Sequence, residues 1–199
     1  MKYYYFSNKE KRLAYGDNRK IKLGTTHKVK GEPILCEHGL HASKRIIDAL
    51  NYAPDSVLWI VELGGKVVHD DDKSVATERT YVGGGIDVTD TLRKFARMCA
   101  LDVVHLWDCP PIVLEWLKTG NEEIRQEAST LASDSDSAWA SDSARAAAWA
   151  SDSAWASTLA SASASARAAA RDSTRAAARA SAKHSRRLAQ MVSKALKEA

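Results

Sequence analysis

The residues richest in chemistry lie between Cys36 and Tyr52. Cys36, His38 and His41 fall within six positions, so a single turn could bring one thiolate and two imidazoles towards one metal ion. A tetrahedral site needs a fourth ligand, which His105 or Cys109 could supply. The spacing repeats no paired-ligand pattern, so the expectation is a polar turn at a sheet edge, with no metal and no cofactor. Whether His38, His41 and Tyr52 surround a pocket or pack as a turn is the question this segment poses.

A second feature lies far downstream. Arg167, Arg171, Arg175, Arg179, Lys183 and Arg187 recur every four residues, which on a helix makes a ridge of like charge. Unpaired, such a ridge opposes helix formation, so something anionic should meet it. The readings are a polyanion such as nucleic acid, where phosphate contacts release counterions, the acidic residues Asp134, Asp142 and Asp152 of the same or a neighbouring chain, or a plainly solvated helix face. Other clusters read as structural. His69-Asp70-Asp71-Asp72 lacks the ligand spacing of a calcium loop and reads as a solvated turn. Gly83-Gly84-Gly85 fits neither phosphate-binding glycine motif and reads as a connector. No Ser/His/Asp order and no recognisable acid pair supports hydrolysis, so a non-enzymatic role is the first expectation.

These residues need elements to hold them. Lys2–Phe6 reads as a strand. Ser43 reads as the cap of a helix with apolar Ile46, Ile47 and Leu50. Val57–Leu63 is the strongest strand, and Gly64-Gly65 suits a two-residue hairpin returning through Lys66–His69. Beyond the glycine cluster, Leu92, Phe95, Ala96 and Cys99 share a helical face, and Leu101–Trp107 reads as its extension. Pro110-Pro111 starts another helix through Leu117, closed by Gly120. Strands first and helices later point to an α+β fold. The expected division is a small mixed-sheet domain over residues 1–120 and an all-α tail over residues 121–199.

The tail has no glycine or proline after Gly120 and repeats with a period of ten from about Leu131. Its alanine favours helix, whether as a hairpin, a stack or one long rod. Residues 121–160 carry seven acids and two bases, whereas residues 161–199 carry nine bases and two acids, a polarity that the net charge of +4 conceals. No apolar run is long enough to span a bilayer, and the N-terminus has no signal-like stretch. The three cysteines are odd in number and sparse, which fits a reducing compartment. The expected location is the cytoplasm, without membrane association.

At Leu35-Cys36-Glu37-His38-Gly39-Leu40-His41-Ala42-Ser43, Ala49-Leu50-Asn51-Tyr52-Ala53, Val61-Glu62-Leu63 and Asp72-Lys73-Ser74-Val75-Ala76, the chain resembles a family of phage and prophage proteins of unknown function. Its members carry a similar N-terminal domain and an alanine- and tryptophan-rich C-terminal array. The resemblance implies a phage-encoded accessory protein of the host cytoplasm, and it brings no catalytic residues. Gly39–Ser43, Ala49 with Tyr52, and Val61–Gly64 are also similar to the middle of ADP-ribosyltransferase domains. That likeness would put His41 where a nicotinamide-stacking tyrosine stands, make Glu78 the late acid and His27 the upstream histidine, and imply NAD. It makes His41, Tyr52 and Glu78 the catalytic candidates, and His38, His41, Ser43 and Tyr52 the ligand-binding ones. The leading expectation is an interaction module whose helical tail self-associates or docks on a host or phage protein. A nucleotide-binding domain is the alternative, and a nucleic-acid-associated protein the third.

Overall fold

The computed structural model describes residues 1–14, 16–106, 108–133 and 174–199. The fold is α+β, with an N-terminal sheet followed by helices. Two compact units make up the chain, Met1–Val88 with Val192–Ala199, and Thr89–Met191. Among the described residues, no helix is long and apolar enough to cross a membrane.

The first unit is built on one long hairpin. Strand β4 (Val57–His69) and strand β5 (Ser74–Asp87) pair antiparallel, and β1 (Tyr3–Ser7) adds to the outer edge of β4. Strand β2 (Thr26–Lys28) and strand β3 (Leu40–Ala42) both pair with β5. Every strand pairing among the described residues is antiparallel, where a mixed sheet was expected. Chain-adjacent β4 and β5 need only a tight turn, which antiparallel geometry permits.

The position of that turn corrects the sequence reading. Gly64 and Gly65 lie inside β4, and the chain reverses at Asp70–Lys73, where the Asp70 N–H donates to the Lys73 carbonyl at 2.9 Å. The register slips between Gly64 and Val67, so these glycines serve a bulge rather than a hairpin loop. Gly83-Gly84-Gly85 likewise belongs to β5 and is no connector. A Cβ on Gly84 would stand 2.6 Å from the Leu58 carbonyl oxygen, and one on Gly85 2.7 Å from the Trp59 ring. Only glycine lets the strands approach so closely while holding φ of +82° and +77°.

The sheet's core gathers Tyr3, Leu13, Ile21, Leu40, Val57, Trp59, Val61 and Tyr81. Trp59 is 3 % exposed and its indole N–H donates to Ser7 Oγ at 2.9 Å, so the ring is buried without an orphaned donor. Helix α1 (Ile46–Asn51) follows β3. Its N-cap is Arg45, without a side-chain cap bond, and not Ser43. Ser43 instead exchanges two backbone hydrogen bonds with Tyr4, at 2.8 and 3.0 Å, tying the segment before α1 to β1.

In the second unit, helix α2 (Thr89–Leu101) buries Leu92, Phe95, Ala96 and Cys99, the face expected from the helical period. It stops at Leu101 and gives way to a 3-10 turn at Val104–Leu106 instead of extending. Helix α3 (Pro111–Thr119) starts on Pro111 and ends at left-handed Gly120, whose N–H donates to the Trp116 carbonyl at 2.7 Å. After a 3-10 turn capped by the Asn121 side chain comes α4 (Arg125–Ser133). Helix α5 (Thr174–Glu198) closes the chain. The ten-residue repeats from Asp134 to Ser173, with Arg167 and Arg171, lie outside the described residues.

Candidate functional site

A cleft of about 500 Å³ opens in the first unit between the sheet and the segment carrying Cys36 to Ser43. Tight local structure shapes that segment. Glu37 and His38 both donate their N–H groups to the Ile34 carbonyl, and Ile34 donates back to that of His38. The turn places Cys36 at φ +65°, a left-handed conformation that costs a side-chain-bearing residue about 1 kcal/mol or more. At Gly39 φ is +124°, and a Cβ there would stand 2.4 Å from Val75 Cγ2. The backbone therefore lies directly on β5.

His41 locks this turn. Its Nε2 accepts from the Cys36 N–H at 3.0 Å, which assigns the proton to Nδ1, facing the Gly39 backbone. Burial pushes its pKa below the ordinary imidazole value, and the Arg79 and Lys73 charges push the same way. A neutral ring with both nitrogens engaged is a structural pin, and it has no free nitrogen for general-base work. His38 donates from Nε2 to the Lys30 carbonyl at 2.7 Å.

At the rim, the Tyr52 hydroxyl donates to Asp72 at 2.5 Å and accepts from the Lys73 ammonium at 3.1 Å. That Asp72 bond is the main reason the phenol's pKa is raised. Lys73 also lies 4.5 Å from the Tyr52 ring centroid. The Cys36 thiol and the Tyr52 hydroxyl, both at its ammonium, raise the lysine pKa.

The sequence reading missed Arg79, which lines the cleft at 2 % exposure. Its Nε and Nη2 donate to the Tyr81 hydroxyl at 3.0 and 2.8 Å, and its Nη1 donates to the His41 carbonyl. The guanidinium carbon lies 3.7 Å from the Tyr5 ring centroid, a stacked cation–π contact. Beneath it, Tyr81 Oη lies 3.2 Å from His27 Nδ1, and His27 Nε2 faces the Lys20 carbonyl at 3.2 Å. Burial pushes the Tyr81 phenol up to about 12, so it stays protonated as the donor to His27. Burial, with Arg19 and Arg79 adding to it, lowers the His27 pKa. Every partner of this buried cation is thus neutral. The ion pairs of the sheet unit among the described residues are Arg19–Asp17, Lys28–Glu78, Arg45–Asp48 and Lys66–Glu32, and none includes Arg79.

The cleft brings His38, His41, Ser43 and Tyr52 together, the set singled out for ligand binding. It does not include Glu78. Successive strand residues point to opposite faces, so with Arg79 facing the cleft its neighbour Glu78 turns away and pairs with Lys28 at 2.8 Å. The trio of His41, Tyr52 and Glu78 is therefore not assembled around the cleft. A signal for Arg79 did exist. Val75, Thr77, Arg79 and Tyr81 alternate onto one face of the strand, where Arg79 is the one charged member beside valine, threonine and tyrosine, and a charge in such a row is a candidate for function.

Two residues of the basic ridge, Lys183 and Arg187, meet an acid that the sequence reading did not name, while the expected partners Asp134, Asp142 and Asp152 lie outside the described residues. In the second unit, Asp102 accepts from Lys183 at 2.8 Å and from both terminal nitrogens of Arg187 at 2.8 and 3.1 Å. His184 Nε2 lies 3.2 Å from the same carboxylate, with its ring edge-on to Phe95. Arg187 further donates to the Met98 carbonyl at 3.1 Å. Burial alone would raise the Asp102 pKa, but the bonds from Arg187 and Lys183 outweigh it and hold the carboxyl below its ordinary value. Arg179 is exposed. Arg175 lies in α5, with its side chain outside the described residues, as are Arg167 and Arg171.

Comparison with known families gives one match. A family described as a domain of unknown function (DUF7666) matches residues 6–94, which span the sheet unit from β1 into the start of α2. No curated protein and no solved structure matches the chain.

Proposed function

We propose that the sheet unit is a non-enzymatic binding module whose cleft takes a small organic molecule, joined to a helical tail that docks the chain to itself or to a partner. The observation that carries this reading is the cleft itself. It has the volume of a small-molecule site, and convergent polar groups from three parts of the chain line it. The engaged nitrogens of His41 and the turned-away Glu78 favour binding over catalysis. The resemblance to phage proteins supports an accessory role in a host cell. The free thiols of Cys36, Cys99 and Cys109 fit the reducing cytoplasm. Since Lys183 and Arg187 are occupied by Asp102, polyanion binding by the whole ridge has less support than pairing within the chain.

Cys36 offers a direct test, because it is exposed and lines the cleft, whereas Cys99 is buried and Cys109 stands outside the lining. The full chain is labelled with a maleimide in the presence of a panel of metabolites, including NAD and other nucleotides, and the labelled sites are read by mass spectrometry. A ligand of the cleft slows labelling of Cys36 and leaves Cys109 unchanged. If no compound protects Cys36 selectively, the reading fails.

A further inference from the structure

The cleft reading leaves open what the ligand is, and Arg79 bears on that. A guanidinium carries five N–H donors. Nε uses its one, Nη2 uses one on Tyr81, and Nη1 uses one on the His41 carbonyl. One N–H on each terminal nitrogen is left without a partner among the described residues, in a side chain 2 % exposed. Burying a full charge against neutral partners is costly unless an anion completes the site. Two donors on adjacent terminal nitrogens match two oxygens of one oxyanion, the bidentate geometry that arginine serves best.

Two further observations narrow the class. The Lys73 ammonium, on Tyr52 at the rim, supplies a second positive charge to the same cleft. Of the acids at the cleft, Asp17 is already paired with Arg19, Asp72 accepts from the Tyr52 hydroxyl and is not part of the lining, and Glu37 is exposed. Two cations with no free buried acid suit a dianion better than a monoanion. The cleft volume of about 500 Å³ far exceeds what a lone inorganic ion would fill. Resting on the binding reading above, we infer that the ligand is a phosphate ester, its phosphate held by Arg79 and Lys73 and its organic body lying along the cleft towards Tyr52.

Calorimetry on the full chain with ribose 5-phosphate, glucose 6-phosphate and phenyl phosphate, each beside its phosphate-free parent, tests this. Citrate serves as the carboxylate control. At least one ester should bind about tenfold or more tighter than its parent, with Arg79→Met removing that preference and Lys73→Met weakening it several-fold. The ester-to-parent comparison uses the wild-type chain, and Lys73 is partly exposed, so the test survives a poorly folding Arg79→Met. Esters binding no better than their parents, or citrate binding best, overturns the phosphate inference. Cys36 labelling in the same samples separates the two failures. If parents protect Cys36 and esters add nothing, only the phosphate is lost; if nothing protects it, both readings fall.

Discussion

The two units treat buried charge in opposite ways. In the helical unit one carboxylate, Asp102, receives Lys183, Arg187 and a buried histidine, so cations crowd a single acid. In the sheet unit one cation, Arg79, is buried with tyrosines and a carbonyl and has no acid among the described residues. The first arrangement is complete in the folded chain and reads as a clasp between α5 and the end of α2. The second retains unused donors beside open space. A saturated polar network holds structure together, while an unsaturated one beside a cleft is prepared for something else to complete it.

Asp102→Ala is the strongest way to break the comparison. It takes from buried His184 and largely buried Arg187 the carboxylate they share, and removing one partner of such a cluster should cost roughly 3 kcal/mol in urea unfolding. A loss below about 1 kcal/mol would mean that the clasp is incidental. The same carboxylate sets a pH dependence. Its folded pKa lies below the unfolded value of 3.8, so its contribution is present above that value and is lost as pH falls through the folded pKa. Asp102→Asn should flatten this acid limb of the stability curve.

Gly39→Ala comes next. The new methyl would meet Val75 at a φ that disfavours alanine, and a loss of about 2 kcal/mol is expected together with weaker ligand binding, since the His38–His41 turn must shift. Binding unchanged at reduced stability would separate the turn from the cleft. Arg79→Met should cost less, about 1 kcal/mol, because the lost hydrogen bonds are partly offset by removing an uncompensated buried charge. A loss matching that of Asp102→Ala would show both networks to be equally structural. The smallest effect is expected at Cys36. Cys36→Gly relieves the left-handed strain and should gain about 0.5 kcal/mol, after the unfolded-state entropy of glycine is counted.

Much of this was legible locally. The α2 face of Leu92, Phe95, Ala96 and Cys99 and the Pro111-to-Gly120 limits of α3 were readable because helix periodicity and helix ends are properties of neighbouring residues. That His38, His41, Ser43 and Tyr52 share one cleft was legible as proximity, since most of them lie on one short segment. The hairpin was misplaced for an instructive reason. The Gly64-Gly65 pair reads as a turn and the Gly83-Gly84-Gly85 triplet as a connector in a linear reading, yet each meets its constraint across the sheet, where a neighbouring strand leaves no room for a Cβ or the register slips.

The sequence by itself determined the α+β order, the helical face of α2 and the four-residue spacing that puts Lys183 and Arg187 on one side of α5. Those follow from spacing and side-chain type, which act over a few residues. Only the tertiary structure decided that Asp102, 85 positions before Arg187, is the acid that Lys183 and Arg187 share. It alone also turned Arg79 inward and Glu78 outward on one strand. Charge pairing and burial depend on distance through space, and chain separation says little about either.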